Sequence, residues 1–155
     1  MTALWQKDER QYEDIFRHFI LIQTLSPRRR NRRTRNNFTK IKITHIFLSK
    51  ISKVEFTSTI WKKVRTKEIT ESEARETLTF FENDFSKYNF VATDSLIIEQ
   101  ARNLTNQFGK EGLRTLDSIQ LSACIELESQ VNVFFTADKL LKRLLILEGL
   151  PTEFS

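Results

Sequence analysis

Three short apolar runs constrain the fold most: Ile46-Phe47-Leu48, Phe90-Val91-Ala92 and Val131-Asn132-Val133-Phe134-Phe135. Each is too short for a helix, and each is followed by a longer stretch with helical spacing. The first leads into a helix over Ser49–Lys67 that carries Ile51, Val54, Ile60, Trp61 and Val64 on one stripe. Thr70 then opens a second helix, with Glu73 three residues on to complete a capping box. Ala74, Leu78, Phe81 and Phe85 follow at steps of four, three and four, which is one helical face. The second run precedes a helix from Asp94 to Gln107, with Ile97, Ala101, Leu104 and Phe108 inward and Gly109 as its stop. A further helix covers Asp117–Glu128, and the third run leads to a last one over Asp138–Leu147, closed by Gly149 and Pro151. Strands alternating with helices predict an α/β domain with a mainly parallel central sheet.

Charge divides the chain unevenly. Residues 1–45 hold 11 Lys and Arg against 4 Asp and Glu, while residues 46–155 hold 14 against 16. Most of the excess lies in Arg28–Lys42, which has eight cations and no acid. A shift this abrupt marks a boundary, so the expected organisation is a basic, poorly ordered segment over residues 1–43 and a domain over residues 44–155. Within the first segment, Phe19-Ile20-Leu21-Ile22 has the composition of a strand. Arg28, Arg29, Arg30, Arg32, Arg33 and Arg35 are candidates for nucleic-acid binding, because arginines neutralise phosphates and release counterions. A solvated tail is the competing reading.

Composition excludes several classes of chemistry. The three glycines, Gly109, Gly112 and Gly149, are not spaced for a dinucleotide or P-loop phosphate cradle. Cys124 is the sole cysteine, which removes internal disulfides and thiolate zinc sites and fits a cytoplasmic setting. His18 and His45 are too few for a multi-histidine metal centre. No apolar run approaches the ~18 residues of a membrane span, and no secretory leader pattern opens the chain, so no membrane partner is expected.

The acids are more informative. In an open α/β sheet, ligands bind outside the carboxyl ends of the strands. Asp138 falls there, three residues past Phe135 and beside Thr136; Asp117 begins a helix near the same rim, and Glu55 lies in the first turns of the helix after Ile46–Leu48. Three carboxylates meeting at one rim make an oxygen-rich site for Mg²⁺ or Mn²⁺, and such a site activates water for phosphodiester hydrolysis. Each acid also has a plainer reading. Glu55 stands three residues after Ser52, as in a capping box, and acids near helix starts are favoured by the helix dipole.

The order of these segments resembles the PIN domain, the nuclease fold of VapC-like toxins. Ile51-Ser52-Lys53-Val54-Glu55-Phe56 looks like the family's helix with its second acid. Leu116-Asp117-Ser118-Ile119-Gln120-Leu121-Ser122-Ala123 is similar to its Leu-Asp-Ala-Ile-His-Leu-Ala helix, and Phe134-Phe135-Thr136-Ala137-Asp138-Lys139 to its strand-end Thr-x-Asp. The likeness covers residues 46–155. It implies a PIN-like three-layer sandwich and a type II toxin of a toxin–antitoxin pair. The implied activity is metal-dependent endoribonuclease, with Mg²⁺ or Mn²⁺ held by Glu55, Asp117 and Asp138 and supported by Thr136. RNA, a cognate antitoxin and a second copy of the chain are the implied partners.

One family feature is missing. The family's first strand ends in Asp-Thr-Ser or Asp-Thr-Asn, and no such motif stands here; Asp8 and Asp14 precede the strand candidate rather than follow it. The codons for Phe19–Leu25, cut one nucleotide upstream, permit Tyr-Leu-Asp-Thr-Asn-Ala. The expectation is therefore a frame shift through much of residues 1–43, a first strand missing or replaced, and a nuclease impaired by loss of one ligand. A catalytically inactive module that binds RNA or an antitoxin is the alternative.

Overall fold

The computed structural model describes residues 21–25 and 43–152, with side chains from His45 onward. The chain is mixed α/β. In order it forms β1 (Leu21–Leu25), β2 (Ile43–Ser49), α1 (Ser52–Arg65), α2 (Glu71–Asn83), β3 (Asn89–Val91), α3 (Ser95–Phe108), α4 (Thr115–Glu126), β4 (Val133–Phe135) and α5 (Lys139–Leu147). The arginine run proposed for nucleic acid, Arg28 to Arg35, lies outside the described residues.

The sheet has the order β3-β2-β1-β4. β2 and β3 are parallel, with Phe47 opposite Asn89 and Ser49 opposite Val91. β1 is antiparallel to both its neighbours: Ile22 faces Phe47 on one side and Phe134 on the other. The expectation of a mainly parallel sheet is thus corrected, since one ladder of three is parallel. The cause is β1, whose residues enter between β2 and β4 from the opposite direction. β1 is central, so β2 and β4 are not left with open edges toward each other. Because β2 and β4 both oppose β1, they run the same way as each other and as β3. The carboxyl ends of β2, β3 and β4 therefore share one edge of the sheet, and α1, α3 and α5 each begin beyond it.

Local sequence explains most helix boundaries. The Thr70 capping box is complete: the Glu73 backbone N–H donates to Thr70 Oγ1 at 3.2 Å, and the Thr70 N–H donates to Glu73 Oε2 at 2.7 Å. Asp94 caps α3 by accepting from the Ile97 N–H at 3.0 Å. Gly109, expected to end α3 outright, keeps right-handed backbone; the chain runs on through a 3₁₀ turn, and Gly112 takes the left-handed conformation at φ 102°. Gly149 does the same after α5, at φ 76°. No helix among the described residues is long and apolar enough to cross a membrane.

Packing falls into three clusters. Leu121, Cys124, Phe134, Leu141, Leu144 and Leu145 anchor the largest, which joins α4, β4 and α5. Phe56 and Ile60 of α1 meet Ala74 and Phe81 of α2 in the second. Ile97, Ala101, Ile119 and Ala123 bring α3 against α4 in the third. The stripe predicted for α1 is rotated. Ile60 of that stripe is buried and Ile51 and Val64 pack against the core as expected, but Val54 is 68% exposed and Ser52 and Phe56 face inward, because the buried face steps by four from Ser52. Lys53 lies over the rings of Phe85 and Phe90, 4.1 and 4.2 Å from their centroids, and ties α1 to the approach of β3.

Candidate functional site

Glu55 sits in the first turn of α1, directly beyond the carboxyl end of β2. The capping-box reading does not describe it. Ile51 is the N-cap and makes no side-chain cap bond, and the Ser52 hydroxyl is buried without a protein partner. The Glu55 carboxylate turns instead toward α4, where Gln120 donates its Nε2 to Glu55 Oε2.

The α4 helix explains that contact. Ser118 through Cys124 are buried at every position, so this helix has no solvent face along its middle and whatever polar group it carries must find a partner inside. Asp117 stands one turn before Gln120 and therefore on the same side of α4. Its charge reaches Glu55: burial raises the Glu55 pKa from 4.5 to about 7, the Gln120 hydrogen bond opposes that rise, and repulsion from Asp117 adds to it. A half-buried carboxyl within reach of a second negative charge is held away from its ordinary ionisation.

Asp138 has a different occupation. It lies beyond the carboxyl end of β4, as expected, but its Oδ1 accepts the Leu141 N–H at 2.8 Å and so caps α5. Thr136 is buried and its Oγ1 accepts the Asp138 N–H at 3.1 Å, which fixes the turn between β4 and α5. Among the described residues, no group of three His, Cys, Asp or Glu side chains is arranged to hold a metal ion. The charge of Asp117 is thus felt at Glu55, while Asp138 occupies a helix cap. Two carboxylates fit a hydrated divalent cation that keeps several waters; they do not make a cage of three protein acids.

Gln120 is the functional candidate whose part in the site sequence reasoning did not assign. Its signal was present in the three-residue step from Asp117, but the partner on α1 is 65 positions away and no local pattern names it. Comparison with protein-family models, with curated proteins and with solved structures finds no match to this chain.

Proposed function

We propose that the chain is a PIN-type, metal-dependent endoribonuclease of the toxin class with an incomplete acidic site, so that its cleavage is weak. The observation that carries this reading is Glu55 at the start of α1, held by Gln120 of α4 and raised to about 7 by burial and by the charge of Asp117 on that same helix. The resemblance of residues 46–155 to the PIN pattern supplies the reaction class. Glu55 and Asp117 would hold Mg²⁺ or Mn²⁺, which when bound lowers the pKa of a coordinated water and offsets phosphate charge. The residues contribute the rest. Asp117 supplies negative charge at the rim, Gln120 keeps Glu55 from rotating away, and Thr136 holds the loop that carries Asp138.

A second reading has its own observation. Asp138 spends a carboxylate oxygen on the Leu141 N–H, which suits a PIN-like module that binds RNA or an antitoxin without cutting. RNA incubated with the full chain in Mn²⁺ or Mg²⁺ decides between them. Metal-dependent cleavage lost in Asp117→Asn supports the nuclease. RNA bound and uncut in both metals supports the inactive module.

A further inference from the structure

Gln120 is 2% exposed, and a buried amide without partners costs on the order of 1–3 kcal/mol in protein mutational data. An apolar residue at this position would leave the half-buried Glu55 carboxylate facing a group that cannot donate to it. What the amide supplies is one directed N–H aimed across the helix pair at Glu55 Oε2. Lysine or arginine could also grip that carboxylate, but each would bring a positive charge and cancel the field of the acid pair. An amide holds the oxygen and leaves the negative charge in place.

We propose that Gln120 is a positioning residue, a neutral clamp that keeps the Glu55 carboxylate turned toward α4, the helix that carries Asp117, so that both acids can serve one divalent cation. This rests on the reading of Glu55 and Asp117 as a cation site. Groups that orient a metal-binding carboxylate through a hydrogen bond typically change affinity by about 10- to 100-fold when removed.

The test is Mn²⁺ binding to the full chain, measured by calorimetry, for the wild type, Gln120→Met and Gln120→His. Methionine matches glutamine in length and lacks the donor; histidine restores an N–H. Gln120→Met is expected to weaken Mn²⁺ by about 10-fold or more, and Gln120→His to recover most of that loss. A merely structural role would not produce rescue by a donor of different shape. Should Gln120→Met fail to fold, Gln120→Asn draws the amide back by one methylene while leaving both acids intact, and the same weakening is expected. Wild-type affinity in Gln120→Met, or in Gln120→Asn, overturns the clamp and spares the cation site. A wild type that binds no Mn²⁺ overturns the cation site, and the clamp's purpose with it.

Discussion

Phe56 of α1 and Phe81 of α2 are stacked, with ring centroids 3.8 Å apart, and the edge of Phe85 meets Phe81 at 4.9 Å. This aromatic column joins the helix that carries Glu55 to the next helix. Phe56 is 1% exposed, so its removal leaves a cavity between the two helices. Phe56→Ala is expected to cost about 3–5 kcal/mol of stability, read from urea denaturation. A loss under 1 kcal/mol would mean that the two helices do not pack through this ring.

The capping box at Thr70 gives a smaller and cleaner effect. Thr70→Ala removes the acceptor for the Glu73 N–H at an exposed helix end, where no cavity forms. The expected loss is about 1 kcal/mol. The double variant Thr70→Ala, Glu73→Ala should cost less than the two single changes together, because each half of the box depends on the other.

Glu55 predicts a pH dependence with a definite sign. Its folded pKa of about 7 lies above the ordinary 4.5, so between those values the folded chain holds a proton that the unfolded chain has lost. Its contribution to stability is full below pH 4.5 and is lost as pH rises through 7. Denaturation at pH 5 and pH 8 should therefore show a larger fall for the wild type than for Glu55→Gln. Equal falls in the two proteins would place the Glu55 carboxyl in water.

Cys124 offers a reporter of unfolding. It is fully buried in the α4–β4–α5 cluster, and burial pushes its thiol pKa well up. A thiol reagent at neutral pH is expected to label it only in denaturant, with a midpoint that coincides with loss of helical signal. Rapid labelling of the native protein would show that this cluster opens locally.

What was legible in the sequence divides by distance along the chain. The capping box at Thr70 and Glu73, the Asp94 and Asp138 helix starts and the glycine after α5 are all encoded within four residues, and each is found. The inward face of α1 was legible at Ile60 and Val64 and misread at Val54, because Val54 and Phe56 offer two competing stripes and only the rings of α2 choose between them. The direction of β1 was not legible at all, since Leu21–Leu25 pairs with segments that sequence periodicity cannot orient. In the candidate site, Glu55, Asp117 and Asp138 could be singled out from their places at helix starts. Their division into a pair and a cap was not, because it depends on Gln120 reaching Glu55 and on which backbone N–H groups Asp138 meets.

The register of β1 has a consequence for how the protein comes off the ribosome. Leu21 is made early and Phe135, its partner across the ladder, is made late. Until that second segment clears the exit tunnel, the nascent chain has only one flank of its middle strand covered, and non-local closure of this kind is slow. Translation itself thus leaves a long interval in which a chaperone, or another newly made copy, competes for the vacant side.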